Sequence, residues 1–244
     1  MQKDPSTGAW LYGGAHKQFP VAEGDVWQIG QHLLGCGDIC KGDGLKMLAL
    51  SKRTFGELPA MTYVDPPWNL GNINSFRTKA GVAGRETDFG AFLNSLIGTL
   101  RPLPGEAYIE MGKQNCKMLC ELIKDSGGEV YETWDITYYR KNPCKLIRAK
   151  WNGLQGPFDG RFGSMDDEDT PALAIALSSG IAQTVFDPCA GRGLTAVTAH
   201  NLGRRFVGLE LSPYRLAEAI AKLHRLMDAP AERITSFHEL KGDL

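Results

Sequence analysis

TVFDPCAGRGLTAVTAHNLGRRFVGLELSPYRLAEAIAKLHRLM, residues 184–227, is the stretch on which the fold turns. An apolar run, TVF, meets a turn containing Gly191 and Gly193; a helical run, a second apolar run RRFVGLEL and a further helical run follow. Strands joined through a helix are expected to be parallel, because a parallel pair needs a long crossover. The two glycines let backbone and ligand approach closely. Glu210 stands seventeen residues after Gly193, at the end of the second strand, where a carboxylate can bind ribose hydroxyls. GRGLTA lacks the third glycine of a dinucleotide fingerprint and the Gly-Lys-Ser/Thr ending of a phosphate loop, so the pattern favours a nucleoside cofactor over a pyrophosphate. A tight structural turn is the competing reading of the glycines alone, and the spacing to Glu210 weighs against it.

Upstream, GELPAMTYVDPPWN at 56–69 gives an apolar strand, MTYV, running into a rigid turn. Pro66 and Pro67 restrict the backbone and remove two N–H donors while leaving carbonyl acceptors. Asp65 adds a carboxylate and Trp68 a flat apolar face, a set suited to an exocyclic amino group on a planar base. An ordinary strand-ending turn with Trp68 in the core is the bland alternative. Polar groups at the carboxyl ends of strands are where open α/β sheets do chemistry.

The remaining pattern is coarser. Residues 1–27 read as an N-terminal extension with a short strand near 26–28, and 31–38 as a strand and turn. The glycine-rich polar run at 71–90 reads as a long substrate loop. Helices are expected over 89–100 and 112–126, the latter ended by Gly127-Gly128, with a strand in RPLPGEAYIEM between them. VYETWDITYY and KLIRAKW read as an antiparallel pair joined across RKNPC, and 171–181 as a helix with Asp169 or Thr170 at its cap. One main domain, 28–230, would then be followed by a tail at 231–244.

At 244 residues and 43% hydrophobic, the chain can bury one substantial core and is neither collagen-like, disordered nor a coiled coil. Its 27 basic and 28 acidic residues exclude a uniformly basic nucleic-acid coat, though not a basic face. Such a face is expected from Arg140, Lys141, Lys145, Arg148 and Lys150, because no acidic residue lies between 136 and 158. A merely solvated hairpin is the alternative. No apolar run is long enough to span a bilayer and no basic start precedes an apolar block, so cytoplasmic residence is the expectation. The six cysteines include Cys116 and Cys120 at helical spacing, read as small core-face residues; no metal is expected.

VDPPWN and VFDPCAGRGLTAVTAHNLGRRFVGLELSPYRL together resemble the S-adenosylmethionine-dependent DNA amino-methyltransferases of adenine N6 and cytosine N4. The catalytic block precedes the cofactor block, as in the permuted class called beta, and the similarity extends over roughly residues 33–226. This resemblance implies a Rossmann-like α/β fold, with a seven-stranded, mostly parallel sheet and an antiparallel edge hairpin. It implies that Asp65 and the Pro66 carbonyl, held by Pro67, partner the target amino group while Trp68 stacks on an extruded base; the family more often has Tyr there. Asp65, Asp187, Pro188, Cys189, Ala190, Gly191, Gly193, Glu210 and Leu211 would form the cofactor site, with Asp38 near the cofactor's adenine. Thr170 joins that set because Thr170-Pro171 looks like a variant of the family's Lys-Pro segment; residues 166–169 are acidic where the family usually carries a His and a Lys.

The resemblance further implies direct methyl transfer from S-adenosylmethionine, leaving S-adenosylhomocysteine, to adenine N6 in DNA. Arg77, Lys79 and Arg85 in the 71–90 loop would join the basic hairpin in contacting DNA. The region 136–168 stands as a reduced recognition region, so sequence choice is either relaxed or supplied by these segments or a second subunit, a homodimer included. Cytosine-N4 methylation, RNA adenine methylation, a small-molecule or protein amine substrate and a catalytically silent nucleic-acid-binding subunit are the alternatives. Composition does not separate a role in restriction-modification from a phage or regulatory one.

Overall fold

The computed structural model describes residues 14–152 and 162–239, together with the backbone of 2–3 and 10–11. β1 (Gln2–Lys3) and β2 (Trp10–Leu11) form a small antiparallel pair, followed by α1 (Ala15–Gln18). β3 (Asp25–Ile29) and β4 (His32–Cys36) lead into α2 (Asp43–Phe55) and β5 (Met61–Val64). Next come α3 (Leu70–Ala80), α4 (Phe89–Leu100), β6 (Glu106–Gly112) and α5 (Lys113–Asp125). β7 (Glu129–Tyr138) and β8 (Asn142–Lys150) form a hairpin. α6 (Thr170–Ser178), β9 (Thr184–Asp187), α7 (Leu194–Asn201), β10 (Arg205–Glu210), α8 (Pro213–Met227) and β11 (Ala231–Ser236) complete the described chain.

The large sheet has the order β11-β3-β4-β10-β9-β5-β6-β8-β7. Its five central strands, from β4 to β6, are mutually parallel. β8 and β7 add to one edge and β3 and β11 to the other, all antiparallel. Consecutive residues of the central strands point to opposite faces. Tyr63, Val185 and Phe206 therefore pack with α6, α7 and α8, while Val64, Phe186 and Val207 pack with α2, α4 and α5. Because both faces are covered, these strands read as near-continuous apolar runs.

The Rossmann-like architecture and the edge hairpin agree with the sequence reading, but the sheet has nine strands where seven were expected. β3 is the short strand expected near 26–28, although it straddles the boundary drawn for the extension, whereas β11 lies within 231–244, where only a tail was expected. β11 carries no apolar alternation because it is an edge strand whose residues, Ser236 apart, are exposed or half-exposed. The expected loop at 71–90 is mostly helix. Asn69 caps α3 by accepting from Asn72 N at 2.9 Å, and Gly81, at φ +75°, ends it in the left-handed conformation. Only the following turn, 81–88, is irregular. Parts of the expected extension, residues 153–161 of the recognition region and 240–244 of the tail lie outside the described residues.

Candidate active site

The carboxyl ends of β4, β5, β9 and β10 meet at one edge of the sheet, as parallel neighbours must. Between them, beneath α3 and α4 and beside the β7–β8 hairpin, opens a cavity of about 300 Å³. Asp38, Asp65, Pro66, Pro67, Trp68, Pro188, Cys189, Glu210 and Leu211 all line it. Two sets of residues 120 or more positions apart are thus brought to one hollow.

At the β5 end, the Trp68 indole N–H donates to Asp65 Oδ1 at 2.9 Å, which holds the carboxylate and leaves its second oxygen open to another donor. Asn115, in the first turn of α5, donates its side-chain N–H to the Trp68 carbonyl at 2.7 Å. Gly112 lies against the Trp68 side chain: a Cβ there would stand 3.1 Å from the ring. Tyr138 meets the same ring edge-on, with centroids 5.0 Å apart. Burial pushes the Asp65 carboxyl up to about 7; Asp167 adds to the rise, while the Trp68 hydrogen bond and Arg215 oppose it. Beneath lies a buried network in which the Tyr63 hydroxyl bridges Glu110 and Thr170. Burial, followed by the nearby Asp65, pushes the Glu110 carboxyl well above the ordinary range.

At the other end, Glu210 ties the glycine turn to the strand. Its Oε2 accepts from Gly191 N and its Oε1 from Ser212 N, each at 2.8 Å. Each carboxylate oxygen has two lone pairs, so the group can still accept from a ligand. Gly191 and Gly193 take φ +56° and +79°. A Cβ on Gly193 would lie 2.8 Å from that of Ala219, so glycine is required both for the turn and for the approach of α8. Asp187 accepts from Cys189 N at 2.9 Å, and burial pushes its carboxyl up to about 7.

Among the described residues, Asp187, Ala190, Gly191, Gly193 and Thr170 do not line the cavity. The first four shape its wall from behind, whereas Thr170 is fully buried and pinned to Tyr63. Arg77 corrects a second expectation. It lines the cavity beside Asp38, with Nη1 3.0 Å from Asp38 Oδ2, and is largely buried in that pair. Beside it, the Arg215 guanidinium lies over the Phe76 ring at 4.9 Å. Phe76 and Arg77 line the cavity because residues 70–80 form a helix laid across its mouth.

The expected basic face also divides. Arg148 is buried and paired with Glu106 through two N–H donors, at 2.5 and 2.9 Å, so it is a structural ion pair rather than a nucleic-acid contact. Lys150 stands at the opposite end of β8 from the cavity: Cys144 faces Gly112 at the cavity end, whereas Ala149 already faces Ala107. Lys145 and Lys113 share Asp135. Lys79 lies near the Phe76 ring, and Arg85 is exposed in the 81–88 turn. Arg140 and Lys141 are exposed at the hairpin tip, between the cavity residues Tyr138 and Asn142.

That tip is strained. Tyr139 and Arg140 have φ +51° and +55°, a left-handed pair that costs roughly 1–2 kcal/mol per non-glycine residue. Asp167 Oδ1 accepts from Tyr139 N at 2.9 Å and Asp166 Oδ2 from Arg140 N at 2.6 Å, which holds the turn in place. The sequence reading missed Asn115, Gly112, Tyr138 and this brace. Their only signal was position: they come from β6, α5, β7 and the segment before α6, which only the folded arrangement brings together.

Comparison with known proteins agrees with this geometry. Residues 167–222 match the N6/N4 methyltransferase family model, which describes a DNA methylase. No curated protein matches. A Thermus thermophilus protein assigned as a DNA modification methylase, TTHA0409, solved with S-adenosyl-L-methionine, has a TM-score of 0.57 at 16% identity, over 84% of this chain and 98% of that one. M1.HpyAVI, also solved with that cofactor, gives 0.51 at 13% identity over 74% and 96%. The cytosine-N4-specific PvuII DNA methyltransferase gives 0.52 at 12% identity over 82% and 89%. At these identities the structural likeness establishes a shared fold.

Proposed function

We propose that this chain is an S-adenosylmethionine-dependent DNA amino-methyltransferase whose target is adenine N6. One observation carries the reading: Asp65 and Glu210, from the two sequence blocks, line the same cavity. The residues fit the cofactor. Glu210 has lone pairs free for ribose hydroxyls, the glycine turn lets α8 and Arg215 pack close where a Cβ would collide with them, and Pro188, Cys189 and Leu211 supply apolar surface. Asp38, Phe76 and Arg77 form the wall at the far end.

When bound, S-adenosylmethionine supplies a methyl group on a positive sulfonium. The protein's part is to present the amino nitrogen. Asp65 and the Pro66 carbonyl accept its N–H bonds, while Trp68 and Tyr138 offer ring surfaces for the base. An aromatic amine's lone pair is delocalised, so acceptors on its protons favour the more tetrahedral, nucleophilic form and stabilise the charge developing on nitrogen. Asp65 can hold the departing proton after transfer. A carboxylate in this place, instead of the Ser more frequent in cytosine enzymes, supports adenine.

The test is labelled methyl transfer to duplex DNA, single-stranded DNA and RNA, followed by nucleoside mass spectrometry. N6-methyladenine from DNA, lost in Asp65→Ala, is the expected result. N4-methylcytosine would overturn the base assignment, RNA-only product the substrate, and cofactor binding without product the catalytic reading.

A further inference from the structure

The hairpin tip carries a role that the reaction chemistry leaves unused. Tyr139 is 62% exposed at the cavity mouth. Its ring lies 4.3 Å from that of Tyr138, which in turn lies 5.0 Å from Trp68. Three aromatic rings thus run from the catalytic tetrapeptide to the outer surface. The outermost is held by a backbone that neither Tyr nor Arg favours, braced by Asp166 and Asp167. Strain maintained beside a reactive site points to a geometric requirement there. Both braces are spent on the protein: Asp167 accepts from Tyr139 N, and Asp166 accepts from Arg140 N, the Thr137 hydroxyl and Glu168 N. Asp167 is buried and Asp166 half-buried, while Arg140 and Lys141, the next residues along the tip, are exposed.

We propose that Tyr139 is a duplex-opening residue: its ring stacks on the bases left behind when the target nucleotide leaves the helix, with Arg140 and Lys141 on the adjoining phosphates. This rests on the proposed DNA-methylating function. A base inside a duplex cannot reach Asp65, so it must be extruded, and the vacated stack is stabilised by any flat surface that replaces it. A single strand has no such vacancy. Tyr139 therefore matters for paired substrates and not for the chemical step.

The experiment compares the wild-type chain with Tyr139→Asn and Tyr139→Phe. Asparagine tolerates the left-handed backbone, so it removes the ring without the turn; phenylalanine keeps the ring. Methyl transfer is measured on a fully paired duplex, on the same duplex with an abasic site opposite the target, and on the single strand. Tyr139→Asn is expected to lose about ten-fold or more on the paired duplex, the effect of one lost stack, and less than about two-fold on the other two. Tyr139→Phe is expected to match wild type on all three. Equal losses on all substrates, no loss on the paired duplex, or a wild-type chain active on single strands alone would each overturn the proposal. A wild-type chain that methylates no DNA would instead refute the function on which it rests.

Discussion

Raising the pH from 6 to 8 should switch the enzyme on through a single carboxyl group. Burial holds the Asp65 carboxyl at about 7, and its ionised form accepts the N–H bonds of Trp68 and of the target amine more strongly and carries the charge that stabilises the developing ammonium, which the protonated form lacks. The sign follows directly. With the folded value raised, the proton stays on across the mildly acidic range and leaves near neutrality, so activity rises with pH. At a midpoint of about 7, roughly one tenth of the molecules are ionised at pH 6 and about nine tenths at pH 8, a tenfold change in kcat/KM. In kcat the rise should sit at lower pH, because a bound sulfonium cation favours the carboxylate. The assay is steady-state methyl transfer to DNA from pH 5.5 to 9 at constant ionic strength. Asp187→Asn serves as the control, since burial raises that carboxyl to the same range and its replacement should leave the rise in place. A flat profile between pH 6 and 8, a falling one, or loss of the rise in Asp187→Asn would refute the assignment to Asp65.

Three substitutions test the rest of the site. Arg77→Ala strips the partner from Asp38 and should weaken S-adenosylhomocysteine binding about tenfold by calorimetry, while DNA binding without cofactor stays unchanged; the opposite pattern would return Arg77 to the nucleic-acid surface. Arg148→Met leaves Glu106 without its ion partner and should cost about 3–5 kcal/mol in chemical denaturation, with no selective loss of DNA affinity in whatever folded protein remains. Gly193→Ala places a Cβ 2.8 Å from that of Ala219 at φ +79° and should lower stability by about 2–4 kcal/mol, measured by urea titration; a change below 0.5 kcal/mol would mean that α8 can move away.

What could be read from the sequence was what depends on near neighbours in the chain. The glycines of GRG and the prolines of DPPW set backbone geometry locally, and Glu210 belongs to the same strand–turn–helix–strand unit, so these residues and the parallel sheet were visible beforehand. The helix over 70–80 was not, because polar residues and glycines suggest a loop while the cap at Asn69 depends on a side-chain rotamer. Arg148 and Lys150 looked like one basic stripe with Arg140. Their separation depends on the register of β8 against β6, which buries the first and carries the second away from the cavity. Asn115 and the aspartates bracing the hairpin tip gain their roles from contacts across the sheet edge.

The parallel seam at the centre of the sheet also governs how the molecule must be made. β4 pairs with β10 across about 170 residues of intervening chain, while β5 and β6 are separated only by the segment that holds α3 and α4. Pairings this distant in sequence carry a large closure entropy and slow the search for the native state. During synthesis, the strand bearing Asp65 can find a neighbour early, but the wall formed by Asp38 and Glu210 closes only after β10 has emerged. Completion of the cavity is therefore a late event in folding, and an early-arrested chain would expose the apolar edge of β4 with nothing to cover it.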